Sequence, residues 1–303
     1  MKALQKTAIS AAAVALLTGL SSISAFAEEA AAEAPEVSPI TANVTVVNDY
    51  RYRGLSQSNF KPAIQGGFDY AHESGFYIGN WNSSISWIGD QYGPNGGFSG
   101  KNAAGTQVSA PIEMDFYAGF KKEFIGEGFA SDFGFLQYYY PTSGIPNTGG
   151  YTANPNTSEV YAAQNFTFGP VTGFAKVSYA VSTLFGTVNS SGSYYPDLTM
   201  NYDTGVWGLA LNGHVGYQYV AGNVKNGSTN WVTTLPNGTT NSSLYSYTDW
   251  KLGVTKDFGA GLSAAVAYVG TNAATALGAY SYSSPSGKNL GKAGGLISLT
   301  KTF

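Results

Sequence analysis

Apolar and polar residues alternate along most of the chain from position 40 onward. In the segment IEMDFYAGF, Met114 and Phe116 fall on one side of the alternation, and Glu113 and Asp115 fall on the other. Side chains two positions apart share one face of a β-strand, whereas a helix places them on opposite faces. Few segments show a period near 3.6 residues, which would indicate amphipathic helices. The pattern therefore predicts an all-β protein.

The alternating segments are joined by connections that are short and long in turn. The short connections are residues 72–75, 123–128, 168–171, 203–206 and 257–261. The long connections are residues 54–61, 88–110, 141–157, 183–193, 221–246 and 271–291. Bacterial outer-membrane barrels have an even number of strands, short turns at the periplasmic end and longer loops outside the cell. The sequence therefore predicts a transmembrane antiparallel β-barrel of about 12 strands, with short periplasmic turns and long extracellular loops.

The first 39 residues differ in composition from the rest of the chain. Residues 1–27 combine Lys2 and Lys6 with an apolar run and a final Ala-Phe-Ala, which is typical of a cleaved secretory signal peptide. Residues 28–39 are acidic, rich in alanine and interrupted by two prolines, so we expect a disordered periplasmic leader. The barrel is predicted to occupy residues 40–303. These features together predict the outer membrane of a Gram-negative bacterium as the location.

Composition narrows the range of functions. Charged residues make up 11% of the chain, the net charge is −3, and no basic patch interleaves with aromatics, so we expect no nucleic-acid partner. The chain has no cysteine, which excludes thiol catalysis, thiolate metal sites and a lipid anchor on cysteine. His72 and His214 are the only histidines, too few to predict a metal site, and no nucleophile motif surrounds His214. We therefore predict no metal, no cofactor and no enzymatic activity.

The segment NDYRYRGLSQS, early in the predicted barrel, stacks three charges at a spacing of two. Asp49, Arg51 and Arg53 alternate there with Tyr50 and Tyr52. A strand with this sequence has one ionic face and one aromatic face. In a membrane barrel the aromatic face turns to lipid and the ionic face turns to the lumen. We therefore predict that the first strand runs through this segment to the glycine that follows it.

The same alternation assigns other side chains to the two faces of the barrel. Candidates for the lumen or its constriction are Asp49, Arg51, Arg53, Gln57, Gln65, Asp69, Glu113, Asp115, Glu159, Lys176, Asp249 and Lys251. Candidates for the lipid-facing aromatic girdles are Tyr50, Tyr52, Tyr70, Trp81, Trp87 and Trp250. With Asp132, Asp197 and Lys121, which have the same parity, eight acids and five bases face the lumen, which predicts a weak cation preference unless salt bridges cancel it. The early polar candidates have a second explanation: an ion-pair ladder that only holds the first hairpin in register. It accounts equally well for Asp49, Arg51, Arg53, Gln57, Gln65 and Asp69.

The chain ends in SLTKTF, so that Phe303 closes an amphipathic strand. A terminal aromatic residue is the usual assembly signal of outer-membrane barrels. Phe303 therefore predicts the barrel-assembly machinery and outer-membrane lipids as partners. Lys301 shares the lipid-facing parity, and we expect its amine to reach the membrane interface.

The opening of the predicted barrel resembles a known family. The resemblance rests on Asp49, Tyr50, Arg51, Arg53, Gly54, Ser56, Gln57, Pro62, Ala63, Gln65, Gly66, Asp69 and Tyr70. Their pattern, D-Y-R-x-R-G-x-S-Q followed by P-A-x-Q-G and D-Y, is similar to that of the TorF-type porins, also named Gcw_chp, a set of bacterial proteins of unassigned function. The resemblance implies a signal peptide, an outer-membrane barrel and a pore function, and it implies no catalytic residues.

Two functions remain open at this point. The first is a narrow porin-like channel for passive diffusion of small solutes or ions. The second is a barrel that conducts nothing and acts as a structural protein or adhesin through its extracellular loops. Barrels of eight strands are packed shut and those of 16–18 hold an aqueous channel, so about twelve strands do not decide between the two.

Overall fold

Twelve strands close into one antiparallel barrel in the computed structural model, which describes residues 38–91, 105, 108–144, 154–224, 238–273, 275–276 and 279–303. The barrel strands are β1 (Ile40–Val47), β4 (Ala63–Ala71), β5 (Phe76–Ser84), β6 (Ile112–Gly126), β7 (Phe129–Tyr139), β8 (Thr157–Phe168), β9 (Val171–Ala180), β10 (Tyr194–Asp203), β11 (Leu209–Gln218), β12 (Tyr247–Asp257), β13 (Leu262–Thr271) and β16 (Gly294–Thr302). The predicted antiparallel β-barrel of about 12 strands is confirmed. The predicted signal peptide and all but the last two residues of the predicted leader lie outside the described residues.

The barrel closes because β1 pairs with β4 on one side and with β16 on the other. Val46 is the partner of Ile64 in the first ladder and of Leu299 in the second. At one end, here called the short-turn end, the strands are joined by residues 72–75, 127–128, 169–170, 204–208 and 258–261. At the other, the long-loop end, they are joined by residues 48–62, 85–111, 140–156, 181–193, 219–246 and 272–293.

The remaining elements of the described residues lie in connections at the long-loop end. They are β2 (Arg51–Tyr52), β3 (Leu55–Ser56), β14 (Thr275–Ala276), β15 (Ala279–Tyr280), and the helices α1 (Trp87–Gln91) and α2 (Asn241–Tyr245). Thr240 caps α2, because its hydroxyl accepts a hydrogen bond from the Ser243 amide over 3.2 Å. Among the described residues, neither helix has the length and apolar character that a membrane-spanning helix needs.

The barrel is apolar on the outside and polar on the inside, the reverse of a soluble protein. On the outer face Val46 is 53% exposed and Leu252 is 69% exposed, whereas the inward carboxylates of Glu113 and Asp132 are buried. Each strand achieves this by alternation, since successive side chains point to opposite faces. An outer surface of this kind is what a bilayer solvates and water does not.

Exposed aromatic side chains form a ring near each end of this outer surface. Near the long-loop end the ring contains Tyr139, Tyr179, Tyr194, Tyr217, Trp250 and Tyr268. Near the short-turn end it contains Phe76, Phe120, Phe124, Phe168, Tyr202 and Phe258. Tyr194 and Tyr202 stand at the two ends of β10, a separation of roughly 26 Å along the strand at about 3.3 Å per residue. At the strand tilt of about 35–45° found in outer-membrane barrels this length corresponds to a height of roughly 20 Å, close to the apolar band of about 25 Å.

The interior is filled unevenly around the barrel axis. Inward side chains on β5 to β7 are large and buried in one cluster, which includes Tyr77, Trp81, Tyr117, Leu136 and Tyr138. Inward side chains on β13 and β16 are small or aliphatic, and include Ala265, Ala267, Val269, Leu296 and Ser298. Space in the lumen is therefore left against β13 and β16.

Candidate functional site

Residues 48–62 fold into the barrel and are here called the inner hairpin. β1 ends at Val47, and Asn48 turns the chain by accepting from the Ile297 amide over 2.8 Å and donating to the Gly295 carbonyl over 3.2 Å. Within the inner hairpin, β2 pairs antiparallel with β3. The prediction that the first strand continues through this segment is wrong.

The tip of the inner hairpin explains why the strand is interrupted. Arg53 has φ 45° and Gly54 has φ 77°, and they lie between the paired residues Tyr52 and Leu55. Two successive residues with positive φ make a two-residue hairpin of the I′ kind, which favours glycine at its second position. Gly54 is also needed for space, since a Cβ there would lie 2.7 Å from the Cβ of Asp249.

The two tyrosines of the segment lie inside the barrel, contrary to the predicted lipid-facing girdle. Tyr50 is 3% exposed, and its hydroxyl donates to Oε1 of Glu113 over 2.5 Å. The Tyr52 hydroxyl lies 2.6 Å from the Tyr138 hydroxyl, and the two rings pack edge to face. The predicted orientation is wrong because the inner hairpin folds into the lumen, where both rings pack against the buried aromatic cluster of β5 to β7.

The girdle prediction is also wrong for Trp81 and Trp87. Trp81 points inward from β5 and is 2% exposed, while Asn80 and Asn82 on the opposite parity donate to backbone carbonyls of neighbouring strands. The amide NH2 groups of both asparagines thus have protein partners, which lowers the cost of placing these side chains on the outer face of β5. Trp87 lies in α1, and its ring packs at 88° to that of Tyr140.

The other two girdle candidates do lie on the outer face. Trp250 is 38% exposed on β12. Tyr70 shares the outward parity of Phe68 on β4. Phe303, predicted as an assembly signal, is exposed and pairs its backbone with Ala42 of β1, while the ammonium of Lys301 lies 5.4 Å from its ring centre.

The base of the inner hairpin is an ionic and hydroxyl cluster centred on Asp49. One carboxylate oxygen accepts from Nε of Arg51 over 2.5 Å, and the other accepts from the Ser56 hydroxyl over 2.6 Å. Arg51 also donates to the carbonyls of Gly54 and Lys292, over 2.9 and 3.0 Å. These bonds hold both strands of the inner hairpin and join it to the connection before β16.

The tip is fixed to the opposite wall through Arg53. Its guanidinium donates to Oε2 of Glu159 on β8 over 2.7 Å and to Oε1 of Gln218 on β11 over 2.6 Å. The same group stacks 4.2 Å from the ring centre of Tyr195 on β10. Because its base leaves from β1 and β4, the inner hairpin spans the lumen.

Inward carboxylates are paired mainly with tyrosine hydroxyls. The pairs, with donor first, are Tyr117 to Asp69 at 2.5 Å, Tyr140 to Glu113 at 2.7 Å, Tyr77 to Asp132 at 2.7 Å and Tyr195 to Asp249 at 2.7 Å. A buried carboxylate is costly unless donors satisfy it. Sequence reasoning missed these tyrosines, although Tyr117 shares the inward parity of Glu113 and Asp115 on β6. This pairing gives the inward tyrosines a structural role as hydrogen-bond donors to buried carboxylates.

The other lumen candidates also lie in the interior or in the inner hairpin. Gln65 is buried and donates to the Ser83 hydroxyl over 3.2 Å. Gln57 joins the inner hairpin to α1, because its carbonyl accepts from the Trp87 amide over 3.1 Å. Asp115 is 1% exposed, and its Oδ1 has no hydrogen-bond partner among the described residues.

His214 bridges two carboxylates on neighbouring strands. Its Nδ1 lies 3.0 Å from Asp197 on β10, and its Nε2 lies 2.8 Å from Asp249 on β12. The Thr199 hydroxyl is 3.1 Å from Nδ1, the nitrogen that also faces Asp197. Since both ring nitrogens face carboxylates, neither is free to act as a base toward this hydroxyl.

A cavity of about 110 Å³ lies between the inner hairpin and the wall. At 10–15 Å³ per water site, this is room for on the order of ten water molecules. Charged side chains lining the cavity are Asp49, Arg51, Arg53, Lys176, Asp197, His214, Asp249 and Lys251. The structure thus brings seven of the twelve lumen candidates to one cavity, since Gln65 also lines it. The other five lie behind it or in the hairpin base.

Three solved structures illustrate what the barrel is similar to. The KdgM porin has 6% sequence identity over 87% of this chain and 98% of that chain, with a TM-score of 0.46. The NanC porin has 8% identity over 87% and 98% of the two chains, with a TM-score of 0.47. OccD3 of Pseudomonas aeruginosa has 12% identity over 86% and 60%, with a TM-score of 0.39.

Sequence comparison gives the family. No curated protein matches the chain. The family model described as a bacterial protein of unknown function, Gcw_chp, matches residues 29–303. The narrower TorF-type name stays a prediction. Because the match covers nearly the whole sequence, the chain belongs to the Gcw_chp family.

Proposed function

We propose that the protein is an outer-membrane channel for small solutes or ions, in which the inner hairpin sets the width of the passage. The observation that carries this proposal is a cavity with charged side chains in its lining, inside a closed barrel whose outer surface is apolar. An apolar outer band flanked by aromatic rings supports a bilayer location. A lumen with charged walls serves passage rather than packing, since packing would be achieved at lower cost by apolar side chains.

The contacts of the inner hairpin support its role as a constriction. Tyr50, Arg51 and Arg53 attach it to three different parts of the interior, so it holds a fixed position across the lumen. A solute that crosses the barrel has to pass beside it. The proposal assigns no chemistry to the protein beyond passage.

One observation favours the alternative of a barrel that conducts nothing. The tip of the inner hairpin also contacts β12 and β13, where Gly54 packs against Asp249, Gly270 and Thr271. A hairpin in that position narrows the long-loop end of the lumen. The barrel would then act as a structural protein or adhesin through the connections at that end.

Current across a planar bilayer distinguishes the two functions. We expect purified protein to produce discrete current steps in potassium chloride solution. A heat-unfolded sample from the same preparation serves as the control, since it has the same contaminants and no barrel. Insertion without any current, at all voltages that the bilayer tolerates, would leave the structural or adhesive role as the better account.

The predicted weak cation preference follows from the count of inward charges. Only the charges that line the passage act directly on a solute, however, because the field of a charge falls with distance and is screened. The selectivity of the channel therefore depends on which of these side chains face the cavity.

A further inference from the structure

The inward acids are divided into two groups by the cavity. Asp49, Asp197 and Asp249 line it. The other inward acids of the described residues, on β4 and on β6 to β8, do not line it: Asp69, Glu113, Asp115, Asp132 and Glu159. Most of the negative charge that the sequence places inside the barrel therefore lies away from the open space.

The acids that do line the cavity are engaged by cationic or polar partners. Asp49 is paired with Arg51, and Asp197 and Asp249 are bridged by His214. Lys176 adds a contact of 3.9 Å to Asp197. These acids present less free charge to a solute than their number suggests.

Lys251 differs from the other bases of the cavity. Arg51 is paired with Asp49, and Arg53 with Glu159. In the part of the chain that the structure describes, the Lys251 ammonium has no hydrogen bond and no carboxylate within ion-pairing distance. Asp197 and Asp249 lie near enough to interact with its charge, but both already contact His214.

The wall beside Lys251 leaves room for a solute. Lys251 on β12 is the partner of Val269 on β13, and Ala267 is the next inward residue of β13. Such diagonal neighbours are about 7–8 Å apart, within reach of a long side chain. Ala267 faces Leu296 of β16, so an alanine and a leucine without charge line this side of the cavity.

We infer that solutes pass along an off-centre slot between the inner hairpin and the wall of β12, β13 and β16, and that Lys251 makes this slot a transient binding site for small anions. This inference rests on the proposed channel function and gives its substrate class. It replaces the weak cation preference that the total charge count predicts.

The absence of native cysteine allows the route to be tested by chemical modification. Ala267→Cys places a single thiol in the slot. Ala163→Cys is the matched control, because Ala163 is also an inward alanine beside a lysine, Lys176, but does not line the cavity. The reagents are two methanethiosulfonates of similar size, the anionic sulfonatoethyl and the cationic trimethylammonioethyl compound.

We expect both reagents to reduce the current of Ala267→Cys and to leave that of Ala163→Cys unchanged. The anionic reagent should react faster with Ala267→Cys than the cationic one. Adding Lys251→Gln should abolish this difference, and Lys251→Arg should preserve it. The reversal potential of the otherwise unmodified Lys251→Gln protein in a potassium chloride gradient should shift toward cation selectivity.

The outcomes separate the two proposals. If unmodified protein inserts and never conducts, the proposed channel function fails, and the slot fails with it. If it conducts but modification of Ala267→Cys leaves the current unchanged, only the slot is overturned. If the two reagents react with Ala267→Cys at equal rates, or the cationic reagent reacts faster, the anion site is overturned, but the slot remains the path of the solutes.

Heat-dependent gel migration checks that each variant forms a barrel, and Lys251→Arg controls for a folding defect in Lys251→Gln.

Discussion

Tyr50 donates its hydroxyl to Oε1 of Glu113 over 2.5 Å, and this bond joins the inner hairpin to β6. Both residues are buried, so neither can exchange the partner for bulk water. Glu113 accepts a second hydroxyl from Tyr140 over 2.7 Å. The carboxylate is thus held between a hairpin residue and a wall residue, which makes it a fixed point for the hairpin inside the barrel.

Removing the Tyr50 hydroxyl should weaken the attachment of the inner hairpin. Tyr50→Phe keeps the ring and leaves one donor fewer for Glu113, which should lower the free energy of unfolding by about 1–3 kcal/mol. Urea unfolding of the protein in lipid vesicles measures this. Tyr139→Phe is the control, since Tyr139 is exposed on the outer face. Equal effects of the two substitutions would contradict the assigned contact.

Arg53 and Glu159 should show strong energetic coupling. Arg53→Gln leaves a buried carboxylate without its cation, which should cost about 3–5 kcal/mol. Adding Glu159→Gln should recover part of this loss, because two amides can hydrogen-bond without a net charge. A double-mutant cycle of unfolding free energies measures the coupling. Additive effects, within about 0.5 kcal/mol, would mean that the two side chains do not interact.

The absence of a side chain at Gly79 should be required for the packing of the Tyr117 ring inside the barrel. A Cβ at Gly79 would lie 2.5 Å from ring atoms of Tyr117 and 2.6 Å from a carboxylate oxygen of Asp69. Gly79→Ala should therefore lower stability by about 1–3 kcal/mol through overpacking. Gly295→Ala is the control, because nothing lies within 4 Å of a Cβ at that position. Thermal unfolding in detergent should separate the two variants, and equal midpoints would count against this packing.

The orientation of the barrel can be read from cysteine labelling on intact cells. The long-loop end is predicted to face outward, so Ser286→Cys should react with a maleimide that does not cross membranes. Glu73→Cys, in the connection 72–75 at the short-turn end, should react only after the outer membrane is made permeable. Both positions are exposed, so accessibility within the fold is matched. The opposite labelling would invert the assigned topology.

The sequence was sufficient to predict the barrel because alternation is enforced along every membrane strand. On β6, for example, Met114 and Phe116 face outward while Glu113 and Asp115 face inward, as the pattern indicates. A shift of one residue would exchange the two faces of a strand, so this signal is strong.

The same signal failed in the inner hairpin and on β5. An aromatic residue is equally compatible with lipid and with a filled interior, so alternation alone could not orient Tyr50 or Trp81. Gly54 carried the missing information, because a glycine after Arg53 permits the positive φ of a tight turn. The contact between Arg53 and Glu159 joins residues far apart in the chain, and no local pattern predicts such a contact.

Deleting the inner hairpin tests the central claim most directly. Val47 and Ala63 are paired, so residues 48–62 can be replaced by an Asn-Gly turn that joins β1 to β4 without a change of register. The shortened protein should still show the heat-dependent gel migration of a folded barrel. Its single-channel conductance should be several-fold larger than that of the full-length protein in the same salt, because the lumen is no longer crossed. A folded barrel with unchanged or smaller conductance would contradict the account.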